Sequence, residues 1–176
     1  LRKKVDEFKY VAETNKLLKD GGLLLVTQGE KGKPNAMTIG WGFLGTMWRR
    51  PVFIVAVRLS RYTHKLMGDS DSFTVCLPGK GMENVLDACG TKSGRDMDKF
   101  KELGLTASKG IQVKAPHIEE CPVHFECEIV YKDQMEPGEL KKAVEDEVYA
   151  SKDLHTIYYG AIKGVYEVEG ARSKLP

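Results

Sequence analysis

Three short stretches of this chain place chemically capable residues close together. The first, Asn35 to Trp41, reads NAMTIGW, a strand-type segment that holds Gly40 beside small Thr38 and ends on an indole. A glycine in a strand lets a flat ligand approach the backbone, where N–H groups can meet its acceptor atoms. Met37 and Trp41 offer apolar contact to such a ring. The same letters also fit a barrel strand whose Gly40 packs on a neighbour and whose Trp41 is core. The second stretch, Arg58-Leu59-Ser60-Arg61-Tyr62-Thr63, packs two arginines and three hydroxyls where an apolar strand hands over to a helix. Guanidinium, hydroxyl and first-turn amides together make an anion cradle; the alternative is a solvated basic turn. The third, Cys89-Gly90-Thr91-Lys92-Ser93-Gly94-Arg95, is followed by Lys99 and is another small-and-basic loop able to hold phosphate. It lacks the GxxxxGK[ST] pattern and also fits a plain inter-helix turn.

Other chemistries find little support. His64, His117, His124 and His155 form no HxxxH or HExxH pair, and no GxSxG nucleophile elbow occurs. His155, in DLHTIYYG, stands just before the last strand and suits either a structural or a site role. Cys76, Cys89, Cys121 and Cys127 include no CxxC, so no metal site is read. His124 and Cys127, three apart on a strand, point to opposite faces. Four reduced cysteines suit a cytoplasmic protein.

The 27 basic and 25 acidic residues leave a net charge of +2, without the basic stripe of a nucleic-acid binder. The longest apolar runs fall far short of the ~20 residues that cross a bilayer, and no leader peptide is visible. With 176 residues, 41% hydrophobic and 30% charged, the chain reads as one domain over residues 1–176, of which 1–20 is a helical N-terminal extension.

The elements that must position these stretches are mostly strands. Gly21-Gly22 ends the first helix, and Leu23 to Gln28 is a strand turning back through Gly29–Lys33 into a strand over Ala36 to Phe43, with Asn35 at its mouth. VFIVAV, Val52 to Val57, predicts a strand buried on both faces. Ser60 is placed to cap a helix over Arg61 to Met67, and Phe73 to Leu77 is a strand. Helices follow over Met82 to Ala88 and Asp96 to Leu103, the latter capped by Ser93. Val123 to Tyr131 alternates as a half-exposed strand, Glu139 to Tyr149 is helical, and Thr156 to Val168 forms one or two strands bent at Gly160 and Gly164. Short strands with inserted helices and no βαβ alternation predict a mainly β antiparallel barrel with peripheral helices.

NAMTIGW, VFIVAV with RLSRYTHKLM, FTVCLP, CGTKSGRDMDKF, APHIEECPVHFEC and HTIYYGAI, in this order from about Gly22 to Val168, resemble the flavin reductase-like family, and among its members most nearly the flavoredoxins. The resemblance implies an FMN-binding split barrel and a homodimer. It implies that Asn35, Met37, Thr38, Ile39, Gly40 and Trp41 edge the flavin ring. Arg58, Ser60, Arg61, Tyr62 and Thr63 then hold the ribityl chain and phosphate, with Ser93, Gly94 and Lys99 near that phosphate and His155 near the open flavin face. WRRP at Trp48 to Pro51 departs from the serine-rich approach of reductases that serve two-component monooxygenases. The implied activity is electron transfer between NAD(P)H, or a redox protein partner, and FMN. A non-enzymatic FMN carrier or sensor, and a related barrel holding haem or pyridoxal phosphate, remain as alternatives.

Overall fold

The computed structural model describes residues 1–29 and 32–176. Its strands are β1 (Lys3–Val5), β2 (Leu23–Gln28), β3 (Pro34–Ile39), β4 (Gly42–Met47), β5 (Arg50–Arg58), β6 (Ser72–Leu77), β7 (Ala107–Ser108), β8 (His117–Ile118), β9 (Val123–Gln134) and β10 (His155–Glu167). The helices are α1 (Val11–Asp20), α2 (Tyr62–Gly68), α3 (Glu83–Thr91), α4 (Lys99–Glu102), α5 (Lys142–Val148) and α6 (Ala171–Lys174).

Antiparallel pairing runs in the order β3-β2-β6-β9-β10-β5-β4, with β1 added to the far end of β10. The two ends of this path, β3 and β4, are joined by only Gly40 and Trp41. A seven-strand path whose edges lie two residues apart must curl on itself, so the sheet is a barrel with its seam at Gly40-Trp41. Ala56 N donates to Trp41 O at 3.4 Å, which carries the β4–β5 ladder up to that seam. The mainly β fold with peripheral helices is therefore the one the strand pattern predicts.

Strand alternation sorts the apolar residues into two layers. Leu23, Leu25, Met37, Ile39, Phe53, Val55, Val57, Phe73, Val75, Phe125 and Tyr158 fill the interior. Leu17 and Leu18 of α1 join them. Leu24, Val26, Ala36 and Cys76 point outward, beneath Met82, Cys89, Phe100, Ile118 and Cys121. Covering both faces of β2 explains its unbroken LLLV run.

Several expectations need correction. The N-terminal stretch is not wholly helical, since Lys3–Val5 pairs with Val165–Glu167. The strand expected over Ala36 to Phe43 breaks at the seam into β3 and β4. The outer face of β5 is only half buried at Ile54 and Ala56, because no described element covers it. On β9 the first five residues are all buried, since the segment 105–121 covers that end, and the simple alternation fails there. The last of the three central helices shrinks to Lys99–Glu102, because Asp98, not Ser93, accepts the Lys101 N–H as its cap. Ser60 caps nothing; its hydroxyl donates to Asp153 Oδ2 at 2.6 Å. The hairpin between β2 and β3 forms in register, while Glu30 and Lys31 of its expected turn lie outside the described residues. Near Gly160 and Gly164 the β10–β9 register shifts, as expected for bulges in one long strand.

Candidate functional site

Two clefts meet beside the seam. One, of about 190 Å³, is lined by Met37, Ser60, Arg61, Tyr62, Thr63, Ser93, Gly94 and Lys99, together with Thr91, Lys92 and Arg95. The other, of about 150 Å³, is lined by Met37, Thr38, Ile39, Gly40, Trp41, Ala56, Arg58, Arg61 and His155. Neither reaches the ~300 Å³ of an ordinary cofactor pocket alone. Met37 and Arg61 line both, so the two clefts form one longer groove.

The first cleft is cationic. Arg61 stands at the α2 N-terminus and sends Nη1 to Gly90 O at 2.8 Å, Nη2 to Cys89 O at 3.3 Å and Nε to Met37 Sδ at 3.3 Å. Lys99, buried behind it, donates from Nζ to Ala36 O at 2.8 Å and Cys89 O at 3.3 Å. Among the described residues no carboxylate pairs with either cation. Burial pushes the Lys99 ammonium pKa below its ordinary value and the Arg61 charge adds to this, while Cys89 opposes it. Two positive groups, both bonded to the Cys89 carbonyl and without a carboxylate partner among the described residues, are suited to a multivalent anion.

The wall of this cleft depends on glycine. A Cβ on Gly94 would collide with Asn35 Oδ1 and stand 2.9 Å from Tyr62 Cδ1. Asn35, buried, donates from Nδ2 to Thr63 Oγ1 at 2.9 Å, which leaves the Thr63 hydroxyl proton free to donate elsewhere. Ser93 Oγ accepts from Arg95 N at 3.2 Å, and Arg95 lies 5.2 Å over the Tyr62 ring.

The second cleft has an aromatic wall. Trp41 is 43% exposed, and nothing comes closer than Leu18 O at 3.6 Å to a Cβ on Gly40. Gly40 is therefore not demanded by packing and Trp41 is not core, so neither part of the purely structural reading of NAMTIGW holds. The Thr38 hydroxyl is committed to Leu86 O at 2.6 Å. His155, beside Trp41 with ring centroids 4.7 Å apart, shares a 2.8 Å hydrogen bond through Nδ1 with the Tyr149 hydroxyl.

Two expected residues are displaced relative to their assigned roles. Arg58 belongs to the second cleft: Nη1 donates to Asp153 O at 2.8 Å, Nη2 to Val148 O at 3.4 Å, and the guanidinium lies 5.6 Å from Trp41 and 5.3 Å from Tyr149. Asn35 sits behind Gly94 in the cationic cleft rather than along the ring cleft. Tyr149 and Asp153 were missed, because both come from a charged surface stretch with no pattern of its own.

Burial, with the Arg58 charge, lowers the His155 pKa from 6.5 to about 4, against a smaller opposing pull from Asp153. His155 is thus neutral in the folded protein at neutral pH. Below 6.5 the unfolded chain takes up a proton that the folded chain refuses until about 4, so stability falls as pH drops through that window. Urea midpoints should show the wild-type advantage over His155→Gln shrinking from pH 6.5 to 4; a constant difference would contradict this.

Residues 20–175 match the model of the flavin reductase-like domain. The chain belongs to the flavin reductase-like family. An uncharacterised protein of Archaeoglobus fulgidus is 30% identical over 74% of this chain and 69% of its own length. The matches reach only 59% and 62% of the length of two other curated relatives. Flavoredoxin of Desulfovibrio vulgaris superposes with a TM-score of 0.69 and 27% identity, covering 88% of this chain and 74% of that one. An FMN-binding protein of Thermus thermophilus, solved with 1-cyclohex-2-enone, shares the fold at TM-score 0.66 and 21% identity, over 88% of this chain and 75% of that one.

Proposed function

We propose that this chain is an FMN-dependent oxidoreductase of flavoredoxin type, exchanging electrons between bound FMN and NAD(P)H or a redox protein. The observation that carries the reading is the pair Arg61 and Lys99, without carboxylate partners, at a cleft continuous with an aromatic-walled one. A ligand with a dianionic end and a flat apolar end matches that polarity, and FMN is such a ligand. The Thermus protein's FMN supports the choice among flavins.

In this reading Arg61, Lys99 and the Thr63 hydroxyl hold the phosphate, and Gly94 lets its loop close on Asn35 and Tyr62 to form the cleft wall. Gly40 leaves room over the strand for the ring, which Met37, Ile39 and Trp41 contact. FMN held there would supply the redox chemistry of hydride or electron transfer, and the chain's residues would bind and orient it. Neutral His155, held by Tyr149, borders the ring without adding a positive charge there. No residue is required as acid or base, and no GxGxxG motif is present for the nicotinamide nucleotide. Anaerobic addition of NADH and of NADPH to the FMN-loaded protein tests the activity. Bleaching with either supports the reductase, and bleaching with neither, nor with a reduced redox protein, leaves only an FMN carrier.

The exposed outer face of β4 fits a homodimer. Phe43 is 70% exposed beside Trp41, with exposed Met47 and Trp48 along the same edge. Trp48 packs on Tyr131 and Tyr159, extending the apolar surface across β9 and β10. A patch of this kind is normally covered, and a second copy would also shield the ring cleft. Phe43→Glu is expected to yield monomers in sedimentation velocity at micromolar concentration, where the wild type sediments as a dimer; equal sedimentation would remove the proposal. All four cysteines are free and buried, and none of the described helices is long and apolar enough to cross a membrane. A cytoplasmic location is proposed on the free cysteines.

A further inference from the structure

On the outer face of the sheet, away from both clefts, His124 and Glu126 of β9 lie beside His117 of β8, all three buried. The segment 105–121 folds over this part of β6 and β9 and brings His117 in from outside the barrel. One donor atom from each of the three residues lies within 4.8 Å of the others. His124 Nε2 is 3.2 Å from Glu126 Oε1, and His117 Nε2 is 3.5 Å from Glu119 Oε1. Ligands bonded to one tetrahedral ion at ~2.1 Å stand ~3.4 Å apart, so each pair is spaced like neighbouring ligands, and Glu119, which lies outside the mutually close three, reaches the same ion by a swing of its exposed side chain.

The hydrogen bonding points the same way. Both ring nitrogens of His117 and Nδ1 of His124 are buried with no hydrogen-bond partner. A neutral imidazole needs one donor and one acceptor partner, and buried polar atoms rarely go without. Glu126 is already oriented, since its two oxygens accept Ile111 N at 2.7 Å and Gln112 N at 2.6 Å. Such fixed carboxylates and outer hydrogen bonds commonly position metal ligands. Glu119 is half exposed and offers an ion a way in.

We propose that His117, His124 and Glu126, with Glu119 as the fourth ligand, bind one divalent transition-metal ion of the zinc or iron(II) class. Two imidazoles and carboxylate oxygen are the donor set such ions favour. The site pins the segment 105–121 to β9 and is independent of the flavin reading. The two imidazoles stack face to face, 3.9 Å apart and 5° from parallel, and His124 also stacks on Tyr166. Directing both lone pairs at one ion requires His117 to tilt out of this stack. Arg2 faces the site: its Nη2 donates to Ile118 O, Glu119 and Cys121 O, while its Nε and Nη1 are buried without partners, so an ion there sits beside a fixed positive charge that Glu119 and Glu126 must offset. Cys76 and Cys121 lie next to it and hydrogen-bond each other.

The test is titration of the purified full chain, stripped with EDTA, with Co²⁺ as a spectroscopic probe. One equivalent should bind with the intense ligand-field bands of four-coordinate Co²⁺ and be displaced by Zn²⁺. His117→Ala should weaken it at least about 100-fold, and the half-exposed Glu119→Gln, which endangers folding least, about 10-fold or more. The Cys76→Ser, Cys121→Ser double variant should bind as the wild type does. Absence of stoichiometric Co²⁺ binding by the wild type overturns the site. So does binding that survives His117→Ala or Glu119→Gln unchanged, or that is lost only with the cysteines.

Discussion

Arg61→Ala should weaken FMN binding by about 1.5–3 kcal/mol, the range for a hydrogen bond to a charged group, or roughly 10–150-fold. The reasoning rests on where the guanidinium stands. It lines both clefts, lies at the start of α2, and has only carbonyls and a thioether as partners. Its charge is therefore available to the phosphate. Riboflavin, which lacks the phosphate, separates this role from others. Fluorescence-quenching titrations should show Arg61→Ala losing affinity for FMN and little for riboflavin. Arg58→Ala should affect both ligands alike, because Arg58 is stacked near Trp41 and bonded to Asp153 O and Val148 O. Equal losses for FMN and riboflavin in Arg61→Ala would remove Arg61 from the phosphate.

Gly160→Ala is expected to destabilise the fold by about 3 kcal/mol, near the top of the range for overpacked cores. A methyl there would lie 2.5 Å from Phe73 Cζ, 2.8 Å from Phe73 Cε1 and 2.7 Å from Cys127 Cβ. Phe73 and Cys127 are fully buried, and Phe73 pairs in register with Cys127 across β6 and β9. Neither can move without shifting the barrel interior. The register shift between Tyr159 and Gly160 fixes the position of the strand, so β10 cannot slide to relieve the contact. Urea unfolding would register this as a lowered midpoint at unchanged slope. A change below about 0.5 kcal/mol, the scale of an ordinary surface substitution, would contradict the packing described.

The strands with strong local signatures were legible from the residues alone. LLLVTQ, VFIVAV and SFTVCL are β-branched or apolar runs; the barrel and its outer cover bury the first and third almost throughout, and VFIVAV fully only on its inner face. Lys3–Val5 was not legible, because two lysines and a valine have no strand signature. They become a strand only by meeting Val165–Glu167 at the other end of the chain. The break at Gly40-Trp41 was hidden for a related reason: NAMTIGWGF alternates well enough for one strand, and only barrel closure divides it.

The site was legible where chemistry is local. RLSRYT at a strand-to-helix junction lines a cationic cleft, and CGTKSGR supplies its opposite wall. The individual arginines could not be told apart, since that depends on which way each end of the turn faces. Arg58 still belongs to the β5 ladder, opposite His155, and so follows the strand to the aromatic side. Arg61, three residues on, has left the ladder for α2. The His117, His124 and Glu126 cluster carries no motif either, because its members meet only when the segment 105–121 folds over β9.

Titration of flavin-free protein with FMN tests the central claim most directly, followed by flavin fluorescence and by the visible spectrum. One FMN per chain should bind, its fluorescence quenched beside Trp41, with riboflavin binding roughly 10-fold or more weaker for want of a phosphate to meet Arg61 and Lys99, as proposed. Failure to bind FMN, or equal affinity for FMN and riboflavin, would contradict the account.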